Sequence, residues 1–365
     1  MLELIVQGVP VKRGMLDKQV SYVASMTFGD IGRLLDGDYL YVPNQPDLPD
    51  LAQRKLNPAR IKAIALYILE NYQNGTIFFP PICINIQPSP TYKDGRIFLP
   101  YQSVAMRLTD GQHRCFGIRE ALIEMNRENA MEFPTLSQVE VGVLFYSALS
   151  LEEERQAFRD QNLLVQRPSV SLSHYFDRRS PTVLIAKKIM QQVPQFQNNV
   201  EQVENGLSPH NPKLITLSTL VTASKHMFPN LKSMTNLELK INWAVKFWQA
   251  LANILPNNPW QIKSKDERCQ QRQESLIGSA VVFQALGMLA RDLYLEQVPE
   301  EELIKWLMRL QEIDWLRNNE FWRDRGVTQV GATGEPIISN TKTTVSACHK
   351  ALQESIGVVP IEGLV

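Results

Sequence analysis

The chain has no run of about 18 apolar residues, so no membrane-spanning helix is expected. Its first residues, Met-Leu-Glu-Leu-Ile-Val-Gln-Gly-Val, carry an early acid and lack both a basic region and a small-residue cleavage site, so they read as a first strand and not a secretory signal. Cysteine is sparse. Cys83, Cys115, Cys269 and Cys348 are far apart and form no Cys-x-x-Cys pair, which removes local support for zinc or an iron–sulfur cluster. Free thiols in a reducing cytoplasm are the expectation. Neither sign of charge prevails: Lys+Arg and Asp+Glu both total 38, giving a formal net charge of zero. The basic excess usual in nucleic-acid binders is missing, so any DNA contact must come from a local patch. Internal repeats, heptads and low-complexity tracts are also lacking, and His174, His210, His226 and His349 show no ligand spacing.

What is present points to a two-domain α+β protein. At 365 residues the chain exceeds what one core usually organises, and its 44% hydrophobic and 21% charged content is that of an ordinary globular protein. Residues 2–6 read as a strand, 20–27 as a second apolar run, and 37–50, rich in Asp, Pro and Asn, as a loop. Asn57-Pro58 is a helix start, a capping oxygen followed by proline in the first turn. Ile61, Ile64, Ala65, Ile68 and Leu69 then supply one packed face before Asn74-Gly75. Residues 77–86 are strand-rich, although Pro80-Pro81 must break that run or place it at an edge. Asp94-Gly95 offers a hairpin turn, residues 104–109 and 139–146 are further strands, and Ser150 with Glu153 forms a capping box for a helix over 151–161.

Beyond Pro168 helices are expected at 181–193, 214–227, 236–255, 267–296, 300–313 and 341–355, with 326–340 as a loop. The reading is therefore a small mixed sheet with helices over 1–170 and an all-helical domain over 171–365. Trp243, Trp248, Trp260, Trp306, Trp315 and Trp322 sit in helical patterns and are expected in the core or a subunit interface.

Chemistry concentrates at Asp110-Gly111-Gln112-His113-Arg114. An apolar strand ends there, Gly111 permits a tight turn, and a helix with the stripe Cys115, Ile118, Leu122 and Met125 begins. That helix directs unpaired N–H groups and a positive dipole end at the turn, and His113 and Arg114 add donors. The set makes an anion pocket of the kind that takes phosphate, the alternative being a tight turn with solvated charges. Asp110 either holds a phosphate-bound Mg²⁺, acts as a base for water or only caps the turn.

Four features in order, residues 57–71, 79–86, 110–114 and the run Phe158-Arg159-Asp160-Gln161-Asn162, give the first half its resemblance to the DGQHR-domain family, a branch of the ParB/sulfiredoxin-like fold. The helical second half resembles, in length and character, the DNA sulfur-modification (phosphorothioation) regulators of that family. The resemblance implies a cytoplasmic DNA-binding repressor of the modification operon that binds ATP or dATP at the motif. It also implies a homo-oligomer that contacts promoter DNA, and other sulfur-modification proteins as partners. It places Gly111, Gln112, His113, Arg114, Gly117, Asp160 and Asn162 around the nucleotide. In the related ParB box, Gly111, Arg114 and Gly117 stand at the glycine, second arginine and alanine, and His113 replaces the first arginine. In sulfiredoxins a cysteine precedes His-Arg; Gln112 stands there, and Cys115 lies after the pair, either as a reactive thiol or as core.

Two rival functions use the same residues. In one, Asp110, His113 and Arg114 catalyse slow ATP hydrolysis or DNA nicking, with His113 as general acid/base. In the other the chain is a non-catalytic adaptor of the modification complex. Candidate phosphate contacts on DNA are Arg317, Arg323 and Arg325 around Trp322, Thr341, Lys342 and Thr343 at the last helix start, and Arg178-Arg179.

Overall fold

The computed structural model describes residues 3–13, 20–42, 56–100, 104–163, 168–231, 233–255, 260–261, 264–332 and 334–357. The chain divides into two compact units, Met1–Gln166 and Arg167–Val365. Among the described residues no helix is long and apolar enough to cross a membrane.

The first unit runs β1 (Glu3–Lys12), β2 (Val20–Thr27), α1 (Phe28–Asp36), β3 (Leu40–Tyr41), α2 (Pro58–Asn71), β4 (Ile82–Gln87), β5 (Thr91–Lys93), β6 (Arg96–Pro100), β7 (Ala105–Asp110), α3 (Gln112–Glu128), α4 (Phe133–Ser137), β8 (Glu140–Ser147) and α5 (Leu151–Leu163). Its strands form a mixed sheet of eight in the order β3-β7-β4-β8-β2-β1-β6-β5. β4 lies between antiparallel β7 and parallel β8, so the motif strand is tied to the centre of the sheet. Asp94 and Gly95 both take positive φ (51° and 75°), the mirror-image turn that closes the β5–β6 hairpin.

Alternation sorts the strands into two faces. Ile82, Ile84 and Ile86 of β4, Met106 and Leu108 of β7, and Val141, Val143 and Phe145 of β8 join the main core with residues of α1, α2 and α3. The opposite face carries Cys83, Tyr146 and Leu149, packed with Leu144 and Ala157 of α5. Asn57 caps α2 through Oδ1, which accepts from the N–H groups of Ala59 and Arg60 (3.0 and 3.3 Å). Ser150 and Glu153 close the anticipated capping box on α5.

The second unit contains α6 (Val170–Phe176), α7 (Pro181–Gln192), β9 (Val200–Glu201), β10 (Ile215–Thr216), α8 (Leu217–Met227), α9 (Leu237–Ile254), α10 (Lys265–Glu274), α11 (Ala280–Leu295), α12 (Glu300–Met308), a 3₁₀ turn at Arg309–Glu312, α13 (Glu320–Asp324), β11 (Gln329–Val330), β12 (Pro336–Ile337) and α14 (Lys342–Ile356). It is helical but not wholly so: β9 pairs β10 in parallel and β11 pairs β12 antiparallel. The helix expected over 267–296 is two, because Ser275 bridges to Leu316, Leu276 N–H bonds the Trp315 carbonyl, and Ser279 caps a new start. Trp248, Trp260, Phe196 and Phe283 interlock in its core with ring centroids 5.1–6.0 Å apart. Trp322 is also buried there, and Trp243, Trp306 and Trp315 are partly buried against it.

Candidate functional site

The site begins with a register fault. Ile84 of β4 faces Leu108, yet Cys83 faces Asp110, so Thr109 is an extra residue in β7. Without this bulge Asp110 would follow Leu108 into the main core; with it Asp110 turns to the face of Cys83. The next residue, Gly111, adopts φ +96° and ψ 12° and begins α3 with no side-chain cap. A Cβ at Gly111 would lie 2.9 Å from Arg114 Nη2, 3.3 Å from its Nε and 3.3 Å from Ile82 Cγ1. Glycine is thus required for both the left-handed backbone and the approach of the arginine.

Arg114, one turn into α3, folds back over this bend. Its Nη2 donates to Asp110 Oδ2 (2.7 Å) and to the Pro81 carbonyl (3.1 Å). Its Nε is buried and has no hydrogen-bond partner among the described residues, and it lies 3.3 Å from where a Cβ on Gly111 would stand. Gln112 and His113 are both buried. His113 Nε2 accepts from the Asn57 backbone N–H at 3.0 Å, so the imidazole joins the first turn of α3 to the cap of α2. In this contact the imidazole acts as an acceptor, since an accepting nitrogen holds no proton, and not as the phosphate donor or proton carrier anticipated of His113. Replacing His113 by alanine is expected to lower stability by roughly 1–3 kcal/mol through the unmatched Asn57 N–H, a loss checked by urea denaturation.

Three residues of this neighbourhood were not anticipated from sequence. Gln161 of α5 donates through Nε2 to Cys83 Sγ (3.5 Å) and to Tyr146 Oη, while its Oε1 is buried with no partner. Burial, then the Asp110 charge, pushes the Cys83 thiol up. Burial and neighbouring Cys83 push Tyr146 up to about 12. The Arg13 guanidinium lies 5.8 Å from the Tyr146 ring centroid. α5 is fastened to this face by Glu154, whose Oε1 accepts from Asn85 Nδ2 and from Arg107 Nε (2.8 Å). The recoverable signal was helical phase: Glu154, Ala157 and Gln161 recur on one face of α5.

Other anticipated residues are placed elsewhere. Gly117 lies against α2, where a Cβ would come within 2.4 Å of Ile64 Cγ2, so its smallness serves helix packing. Cys115 is fully enclosed and burial raises its thiol to about 12, the reverse of what a thiolate nucleophile needs. Asp160 accepts from Gln156 Nε2 (2.7 Å) on the outer side of α5, and the Asn162 side chain lies outside the described residues.

Of the arginines considered for DNA, Arg178 and Arg179 are exposed, and so is Lys342 in the first turn of α14. Arg323 pairs with Glu320 (2.8 Å), and Arg325 meets Glu354 (3.3 Å) and stacks 4.0 Å over the Phe321 ring. Arg317 is part-buried and donates to the carbonyls of Ser275 and Arg272 (3.3 and 3.1 Å).

The residues at the bend fit a phosphate group: a helix start with no side-chain cap, an arginine Nε without a partner among the described residues, and a glycine that lets the guanidinium come close. Arg114 and the first-turn N–H groups of α3 would hold it. Among the described residues no group of three or more His, Cys, Asp or Glu side chains gathers to cage a metal. The family model described as DndB, DNA-sulfur modification-associated, matches residues 9–359, nearly the whole chain. No curated protein matches it.

Proposed function

The chain belongs to the DndB family of DNA-sulfur modification-associated proteins, and from that premise we propose that it is a cytoplasmic DNA-binding regulator of the modification operon, a repressor controlled by ATP or dATP. The observation that carries the nucleotide part is the Gly111 bend with its unpartnered Arg114 Nε. In this reading a phosphate of the nucleotide sits over Gly111, accepts from the first turn of α3 and takes Nε as a further donor. Asp110, already paired with Arg114, either exchanges that partner for a phosphate-bound Mg²⁺ or remains its anchor.

The helical unit would carry promoter DNA, with Arg178, Arg179 and Lys342 as exposed phosphate contacts and Arg323 and Arg325 as paired ones. The active species is proposed as a homo-oligomer that also meets other proteins of the modification system. Nucleotide can change DNA affinity only if two conformations of the protein bind it unequally. The hydrolytic alternative asks His113 to exchange a proton, and the engagement of its Nε2 by Asn57 makes binding without turnover the preferred reading.

The test is promoter affinity with and without saturating ATP or dATP, in Mg²⁺, at fixed salt. A change of about fivefold or more is expected, corresponding to roughly 1 kcal/mol of coupling. Unchanged affinity alongside measurable nucleotide binding would defeat the regulatory reading. Retained association with the modification proteins under those conditions would favour an adaptor.

A further inference from the structure

The second unit holds a cleft of about 600 Å³ whose chemistry the reading above does not use. Its walls include Arg272, Arg317, Thr216, Thr219, Gly278 and Ala280, and none of its lining residues is Asp or Glu. Arg272 is only 8% exposed. Its Nη1 donates to the carbonyls of Asn211 and Lys213 (2.5 and 2.6 Å), and its Nη2 to those of Ser208 and Pro209 (2.8 and 3.4 Å). Arg317 approaches from the far side of the α10–α11 break, bonding Ser275 and Arg272 carbonyls through Nε and Nη2, while its Nη1 has no hydrogen bond among the described residues.

Two guanidinium groups thus stand together with carbonyl dipoles for partners and, among the described residues, no carboxylate against either. Glu201 accepts from Asn211 Nδ2 (3.2 Å) and from the N–H groups of Val203 and Glu204. Burial lowers the Arg272 pKa, and burial followed by the charge of Arg272 lowers that of Arg317. Arg272 has a structural duty, bracing the 208–213 segment. That duty does not account for a second cation beside it. Burying like charges without a counter-ion is costly unless an anion joins them. Two helix starts also reach the cleft, α8 through its cap Thr216 and α11 through Ala280, which adds partial positive charge.

We propose that this cleft is an anion site for a phosphate-bearing small molecule, held by Arg317 with the charge of Arg272 beside it, between the starts of α8 and α11. Its volume lies within the range of small-ligand pockets, and Leu207, Pro209 and Ile215 supply apolar wall for an organic body. A concave site with one arginine nearly enclosed suits a compact ligand better than the backbone of a duplex. The cleft is separate from the Gly111 bend and does not depend on nucleotide binding there.

The experiment is titration calorimetry of the full chain, in low-chloride buffer, with inorganic phosphate, AMP and a DNA duplex. Phosphate and AMP are expected to bind, and Arg317→Gln to weaken both at least about tenfold. Arg317→Lys should restore part of that loss, and the tenfold weakening by Arg317→Gln should be the same in a protein that already carries Arg114→Gln, which separates this site from the Gly111 bend. Tighter binding of AMP would identify a nucleoside phosphate, and equal binding free phosphate. Ala280→Glu, a substitution favourable at a helix start, should abolish binding and serves if Arg317→Gln does not fold. No binding of phosphate or AMP, or binding indifferent to Arg317→Gln and Ala280→Glu, would overturn the proposal. A loss of duplex affinity in Arg317→Gln with phosphate and AMP unaffected would assign the cleft to DNA and overturn it equally.

Discussion

Alanine in place of Gly111 is expected to cost at least tenfold in affinity for ATP or dATP while leaving the protein folded. Two effects combine. A residue with a Cβ at φ +96° carries a strain of roughly 1–2 kcal/mol, which the sheet and α3 can absorb. The new methyl group also crowds the guanidinium, 2.9 Å from Arg114 Nη2 and 3.3 Å from Nε. The guanidinium must then swing away, breaking its bonds to Asp110 and the Pro81 carbonyl, and its Nε can no longer face a phosphate. Loss of one charge-assisted hydrogen bond is worth about 1.5–3 kcal/mol, or tenfold to a hundredfold in binding. Calorimetric titration together with a thermal melt separates the two contributions. A folded Gly111→Ala protein with wild-type nucleotide affinity would show that the bend is not where the triphosphate sits.

The parts of this site legible in sequence are those fixed by neighbours along the chain. Asn57-Pro58 and Ser150/Glu153 act within one turn, and Gly111 announces itself as glycine between an apolar strand and a helical stripe. The rest depends on pairings that no local pattern encodes. Thr109 becomes a bulge only because β4 lies alongside, and that bulge decides which face Asp110 joins. Gln161, and not Asp160, looks toward Cys83 because α5 is rotated by Glu154 bonding Asn85 and Arg107. His113 finds its acceptor role 56 positions back, at Asn57. Gly117 was assigned to the nucleotide by resemblance, yet the closeness of α2 accounts for it. Arg272 and Arg317, 45 positions apart, meet through the Ser275–Leu316 bridge, a contact invisible to helical periodicity.

The largest stability effect is expected at Asp292, where α11 meets α14. Its Oδ2 accepts from His349 Nε2 (2.6 Å) and Gln353 Nε2 (2.7 Å), and its Oδ1 from Arg291 (3.0 and 3.1 Å), with the side chain only 6% exposed. Burial alone would raise this carboxyl. The hydrogen bond and charge of His349, with those of Arg291, outweigh burial and hold it below its ordinary value of 3.8. Asp292→Ala leaves His349 and Gln353 without their acceptor in the interior, a loss of about 3–5 kcal/mol and a fall in Tm on the order of 10 °C. A carboxyl with a depressed folded pKa contributes its stability in full above the unfolded value, near 3.8. That contribution disappears as pH falls through the lower folded value. The wild-type advantage over Asp292→Asn should therefore be present at pH 4 to 5 and shrink below about pH 4. Urea denaturation of both proteins across that range measures the difference, and parallel acid limbs would mean that the α11–α14 contact does not draw its strength from an ionised Asp292.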